Sequence, residues 1–248
     1  MTAADLQRYA GRLRLVLTRR ALRGAAGART GTSAGASLEF HDYRDYHPGD
    51  DVRLIDWNVF ARSDRETIRR HREEVSPVLD LKVDASASMD FADGAPRAFA
   101  EALADLLARA GTRAGCRVRR DAPRPAARSV RVFVSDLLLA DDPASVLAPL
   151  ARDAAALHVI RVLPSVERSP EPGGTFRCVD AETGEARELA FDARTLAAHA
   201  EALRRHTESW LQAIRRFGGT FTDLTVETET ADSTVRALLG QAVVEVVG

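Results

Sequence analysis

An apolar run that ends in alternating oxygens is the stretch of this chain best suited to chemistry. In VLDLKVDASASMDF, residues 78–91, Asp84, Ser86 and Ser88 occupy alternate positions after a run fit for a buried strand. A second apolar run, VRVFVSD at 130–136, ends the same way, in Ser135 and Asp136. Carboxylate and hydroxyl oxygens are hard ligands and suit Mg²⁺ or Mn²⁺. Two carboxylates with hydroxyls bind such a cation without saturating its charge, so it can still accept a carboxylate from another protein. That is the chemistry of adhesion, not of turnover. The plainer alternative is that Asp84 and the serines cap a loop and the turn after it.

These oxygens act together only if both strands end at one edge, and the pattern of elements supplies that. Strand-like runs at 78–83, 130–136, 157–163 and 220–226 alternate with helical runs at 95–110, 143–155, 196–217 and 234–239. CRVRR reads as a short further strand. Asp141-Asp142 opens the second helix, and Gly218-Gly219 stops the third. Alternation of this kind predicts an α/β fold, a mostly parallel sheet with helices on both faces. Sites in such sheets lie at the carboxyl ends of the strands. Residues 165–190, with Gly173-Gly174 and Thr183-Gly184, read as a small hairpin excursion. QAVVEVV is an apolar tail.

The N-terminal third is organised differently. Residues 4–24 place Leu6, Tyr9, Leu13, Leu15, Leu17 and Leu22 at helical spacing among arginines. This predicts a helix with a solvated arginine face or one that docks an acidic partner. Residues 24–37 are small and Gly-rich, a flexible linker. Pro48-Gly49 has the residues of a type II turn, and Asp50 and Asp51 are placed to cap the next element. IRRHREEVS reads as a short strand or helix. Tyr46, Asp50, Asp51, Arg53, Asp56, Trp57 and Arg62 could form a partner-binding surface. Equally, Asp45, Asp56, Arg53 and Arg62 could form buried ion pairs that fix the segment.

Composition removes several classes. The chain has 248 residues, 45% hydrophobic and 29% charged, with a net charge of −1. That balance speaks against a nucleic-acid binder, whose whole surface tends to be basic. Arginine supplies nearly all the positive charge; Lys82 is the only lysine. Arg117, Arg119, Arg120, Arg124, Arg128 and Arg131 cluster with only Asp121 among them, but no aromatics interleave for base stacking. A solvated loop is the simpler reading. Cys116 and Cys178 are too few for a disulfide framework, and reduced cytoplasmic thiols are expected. The N-terminus lacks the apolar core of a signal peptide, and no window of about 18 apolar residues reads as a membrane span. No two histidines stand at metal-ligand spacing. GTSAG at 31–35 follows no strand, so it is not a nucleophile elbow. No phosphate-binding Gly-Lys loop is present, so any ATPase must be a partner.

Asp84-Ala85-Ser86-Ala87-Ser88-Met89 resembles the Asp-x-Ser-x-Ser metal-ion-dependent adhesion motif of von Willebrand factor A-like domains. The block before it resembles the bacterial domain-of-unknown-function family numbered 58. Its shared features are Gly35, Glu39-Phe40, Arg44-x-Tyr46, Pro48-Gly49-Asp50-Asp51, Arg53, Ile55-Asp56-Trp57, Ala61-Arg62 and Glu73-Glu74. Ser135-Asp136 fits the family's later strand end, and the ETGE at 182–185 fits a later region loosely. The resemblance spans roughly residues 19–225. It implies a von Willebrand factor A-like domain and a MoxR-type AAA ATPase as partner. The chain departs from the adhesion pattern in one respect. Only about fifty residues separate Asp84 from Asp136, and Thr112, the sole threonine between them, does not match the expected ligand.

The resulting expectation is an arm at 1–77 and a von Willebrand factor A-like domain at 78–248. The chain would be a cytoplasmic, non-enzymatic adaptor, with Asp84, Ser86, Ser88 and Asp136 as the metal-assisted contact edge. The rival is a Mg²⁺-dependent hydrolase or phosphotransferase using Asp84, although Ser86 stands where a second acid would be wanted.

Overall fold

The computed structural model describes residues 3–24, 38–73 and 76–247. In chain order the elements are α1 (Ala3–Gln7), β1 (Leu13–Leu15), α2 (Arg19–Gly24), β2 (Leu38–Asp45), α3 (Trp57–Ser63) and β3 (Thr67–Glu73). Then come β4 (Val78–Val83), α4 (Phe91–Arg113), β5 (Arg117–Arg120), β6 (Val130–Ser135), α5 (Pro143–Ala151) and β7 (Ala156–Leu163). The chain continues with α6 (Ser165–Arg168), β8 (Thr175–Val179), β9 (Ala186–Ala190), α7 (Ala193–Arg216), β10 (Thr220–Thr225), α8 (Ala231–Gly240) and β11 (Val244–Val246).

The central sheet is parallel throughout, in the order β10-β7-β6-β4-β5. Its strands are continuous apolar runs because both faces are covered. On β6, Val130, Val132 and Val134 face a core that contains Phe99, Leu103 and Leu107 of α4 and Leu238 of α8. Phe133 points the other way, into a second core with Leu147 of α5 and Trp210 and Ile214 of α7. The α/β expectation holds, and the sequence pattern places every strand of the sheet to within about a residue of where it lies. Helix α4 extends beyond the expected 95–110, but left-handed φ at Asp93 and Gly94 breaks its first turn.

The single N-terminal helix expected over 4–24 is instead two short helices, α1 and α2, with a strand between them. Leu13 and Leu15 belong to a short strand that pairs antiparallel with β11, in the register Leu13↔Val246 and Leu15↔Val244. The supposed apolar tail is therefore a strand. Both leucines are 1% exposed and join the first core. Their two-residue spacing fits a strand as well as a helix, and the deciding partner lies at the far end of the chain. Of the linker at 24–37, residues 25–37 lie outside the described residues, as do Gly35 and Glu74.

The arm is built on β2 and β3, paired antiparallel. Between them, the Pro48-Gly49 turn closes with Asp50 N–H donating to the His47 carbonyl at 3.0 Å, and Gly49 takes φ +110°. Asp51 caps a short 3₁₀ turn (Val52–Leu54), and Asp56 caps α3, accepting from Asn58 N at 3.0 Å. Asp50 is not a cap: both its oxygens hold the Arg44 guanidinium at 2.7 Å.

His158 on β7 carries a consequence for stability. Its Nδ1 shares a hydrogen bond with Thr220 Oγ1 at 2.7 Å, while Nε2 is buried without a partner. Burial pushes the imidazole down to about 4 from an ordinary 6.5. The unfolded chain therefore takes up a proton near pH 6.5 that the folded chain refuses until about pH 4. Stability is complete above that window and falls through it on acidification. Urea unfolding should show wild type losing about 2 kcal/mol from this group between pH 7 and pH 5. His158→Asn should be less stable at pH 7 but lose less over the same interval.

Candidate functional site

Parallel pairing of β4 with β6 brings two acidic strand ends side by side. The ladder runs one residue past β4, with Asp84 N–H donating to the Val134 carbonyl at 2.8 Å. The Asp84 carboxylate is then fixed from two sides. Oδ1 accepts from the Ser86 N–H at 2.9 Å, and Oδ2 accepts from Ser135 Oγ at 2.5 Å. Ser86 Oγ and Ser88 Oγ lie 3.1 Å apart, and Ser88 is close enough to Asp136 to favour its charged form. Asp136 Oδ1 also accepts from the Leu138 N–H at 2.9 Å. Asp84, Ser86 and Ser88 are thus hydrogen-bonded to one another, and Asp136 stands beside them on the neighbouring strand end. Asp84 is 8% exposed and Asp136 2%, while the two serines are half-buried and face the edge.

The geometry needs a sharp turn after β6. Leu137 supplies it at φ +59°, a left-handed conformation unusual for a bulky residue. Its side chain is buried in the second core, and its N–H donates to Ser135 Oγ at 2.9 Å. The strain is held by packing around it. On the other side Arg97 of α4 donates to the carbonyls of Asp84 (3.3 Å) and Ser86 (3.0 Å) and pairs with Asp90. It braces the loop backbone.

Negative charge accumulates here. Burial raises the Asp136 carboxyl above its ordinary range; its bond from Leu138 and the nearby Ser88 side chain oppose this, and nearby Asp84 and Glu182 add to it. Burial also raises Glu167, on α6, with Asp136 contributing. The donors are all hard oxygens, and the site's own acids repel one another, which fits a divalent cation. Among the described residues no three acids, histidines or cysteines make a metal site by themselves, so the hydroxyls of Ser86 and Ser88 would have to serve as ligands. Thr112 is elsewhere, on the last turns of α4, with its hydroxyl on the Ala108 carbonyl at 3.0 Å.

One participant escapes a reading of the sequence. Glu182 lies at the tip of the β8–β9 hairpin, and its Oε1 accepts from the Ser88 N–H at 3.1 Å. Its signal is the ETGE text, which no local rule connects to a loop 94 residues earlier.

The arm residues gather on a different surface. Trp57, Leu54 and Val52 are 61%, 52% and 55% exposed. Asp51 and Arg53 pair openly beside them at 2.9 Å, and Tyr46 is half-buried. Asp56 is buried as a helix cap, and Arg62 is exposed. Two ion pairs of the arm, Arg44–Asp50 and Arg53–Asp51, reach solvent. Of the arginine cluster, Arg117, Arg124 and Arg128 are exposed, as a solvated loop would have them, and two others are engaged. Arg120 bridges Glu101 and Asp105 of α4, and Arg131 is 3% exposed, holding the carbonyls of Ala126 and Leu150.

Residues 42–123 match the model of a family described as protein of unknown function DUF58. The family resemblance, drawn over roughly residues 19–225, thus holds over 42–123. That stretch contains the later part of the arm and the Asp84–Met89 loop but stops before Ser135 and Asp136. Uncharacterized proteins of Mycobacterium bovis and Mycobacterium tuberculosis are 40% identical over 65 residues, 26% of this chain and 20% of theirs. The match thus spans about a fifth of the length of these curated relatives. No solved structure matches. No helix among the described residues is long and apolar enough to cross a membrane.

Because the folded state raises the Asp136 carboxyl, keeping it ionised at neutral pH opposes folding. Asp136→Asn keeps the shape and removes the charge. In chelator-treated protein at pH 7 it should melt about 2–4 °C higher than wild type, the shift that about 1 kcal/mol gives at this size. A lower midpoint would mean that the site's negative charge is already balanced.

Proposed function

We propose that the chain is a non-enzymatic adaptor that grips another protein through the carboxyl edge of its parallel sheet. The observation that supports this best is the meeting of Asp84, Ser86, Ser88 and Asp136 from two strand ends. In this reading the domain is von Willebrand factor A-like, and those four residues hold Mg²⁺ or Mn²⁺. When bound, the ion offers an open coordination position to a partner's carboxylate. Asp84 and Asp136 supply charge, the serine hydroxyls supply neutral ligands, and Arg97 keeps the loop carbonyls in place.

The partner, carried over from the family resemblance, is a MoxR-type AAA ATPase that assembles or matures other proteins. The exposed Trp57–Leu54–Val52 patch of the arm gives a second surface for such a complex, since an aromatic anchor among charges suits recognition. In the rival reading, Asp84 serves as a nucleophile of phosphoryl transfer. Both of its oxygens accept hydrogen bonds, from Ser86 and Ser135, an orientation that suits a ligand.

Thermal unfolding with and without millimolar Mg²⁺ or Mn²⁺ tests the metal directly. At about a hundredfold above Kd, a ligand of the native state adds about 2.7 kcal/mol, so the wild-type midpoint should rise by several degrees. Asp84→Ala and Ser86→Ala should lose the response. No shift in wild type would leave Asp84 as a loop cap. Turnover of generic phosphoesters, lost in Asp84→Ala, would replace the adaptor reading with the enzymatic one.

A further inference from the structure

The β8–β9 hairpin has no core of its own. Nine of its ten strand residues are exposed, with Cys178 alone half-buried. An isolated two-stranded hairpin is marginal in water. A Phe176–Phe191 ring contact at 4.8 Å supports its base, and the Glu182 carboxylate on the Ser88 N–H ties its tip to the edge. Beneath it opens a cleft of about 1430 Å³. Its walls include Phe91, Val166, Phe176, Val179 and Leu189, all 41–57% exposed. Such a concentration of apolar surface on one side of a molecule marks a place where something docks.

We propose that the hairpin is a built-in occupant of the contact edge: Glu182 takes the carboxylate position, and an extended partner segment displaces it, placing its own carboxylate at Ser88 and its apolar side chains in the cleft. The proposal rests on the adaptor reading and names the chemistry of its partner. Glu182 shows that chemistry, since it is a carboxylate at the tip of a hairpin that also carries Phe176 and Val179 into the same cleft. An incoming acid finds the N–H that Glu182 now holds, and the exposed apolar walls supply the remaining affinity. A cation held by Asp84 and Asp136 would attract Glu182 and the partner's acid alike, so binding becomes an exchange of one carboxylate for another.

The turn itself does not depend on the Glu182 side chain. Asp180 Oδ1 accepts from the N–H groups of Glu182 at 2.9 Å and Thr183 at 2.8 Å, and Asp180 N–H donates to the Glu185 carbonyl at 2.8 Å. Glu182→Ala therefore releases the tip without unmaking the hairpin.

The chain carries its own reporter. Cys178 lies on β8 and lines the cleft, whereas burial pushes the Cys116 thiol up to about 11 and keeps it unreactive. The experiment is the rate of Cys178 modification by an aromatic disulfide reagent at pH 7.5. Glu182→Ala should label faster than wild type by roughly five-fold, the scale of one exposed charge-assisted hydrogen bond. N-acetyl-glutamate amide at high concentration should speed wild type towards that rate, and N-acetyl-glutamine amide should not. Millimolar Mn²⁺ should slow wild type and leave Glu182→Ala unchanged. Equal rates for wild type and Glu182→Ala would overturn the proposal, as would equal effects of the two amides, whatever the metal does. A fast Glu182→Ala with no Mn²⁺ effect on wild type keeps the occupant and rejects the metal. An unaltered melting midpoint in Glu182→Ala confirms that the rates report opening rather than unfolding.

Discussion

The hydrogen bond from Ser135 to Asp84 joins the ends of β4 and β6, and most of the site's geometry depends on it. Parallel pairing fixes which residues emerge together, because neighbouring strands advance in step. Val83 sits opposite Val134, so the next residues, Asp84 and Ser135, must meet at the edge. Ser135 then serves two partners, donating to Asp84 and accepting from the N–H of Leu137. One hydroxyl thus links the end of β4 to the strained turn that aims Asp136. A serine is well suited to this position, since a valine there would leave a buried carboxylate oxygen without a donor, at a cost of about 1–3 kcal/mol or more.

Arginine plays a different part. Buried in the sheet, Arg131 and Arg161 are 3% and 4% exposed, yet neither reads as a binding residue. Arg131 gathers carbonyls from the loop before β6 and the end of α5. Arg161 forks onto Asp223 across β7 and β10, with Arg168 sharing the same carboxylate. These pairs pin secondary elements that apolar contacts alone would let slide. Within the cluster at 117–131 the arginines divide: Arg117, Arg124 and Arg128 are exposed, while Arg119, Arg120 and Arg131 are engaged. The charges of Arg120 and Arg131 are turned inwards or towards α4.

The legible part of the structure is the part encoded locally. Four strands announce themselves as apolar runs, and the oxygens at the ends of two are readable because residue type and position coincide there. What fails is long-range. Leu13 and Leu15 become a strand because Val244 and Val246 return to pair with them. Glu182 joins the site because a hairpin of little intrinsic stability leans over the edge. The arm fails in a different way. Its acids stand out in the sequence, but composition does not say which arginine each will take, and Asp50 chooses Arg44 where Arg53 is nearer in sequence.

The site concentrates three unfavourable terms in one place: a desolvated Asp136, neighbouring acids of like charge, and a leucine with left-handed φ. Each would be removed easily by substitution, so their coexistence needs a compensating source of stability. The second core provides it. Leu137 is driven into the pocket formed with Leu147 and Trp210, and His206 of α7 bonds the Leu137 carbonyl at 2.5 Å. Burying that leucine contributes about 1.5–3 kcal/mol, comparable with the cost of its backbone conformation. Apolar packing on one side of the sheet thus holds an acidic, oxygen-lined edge in place on its rim.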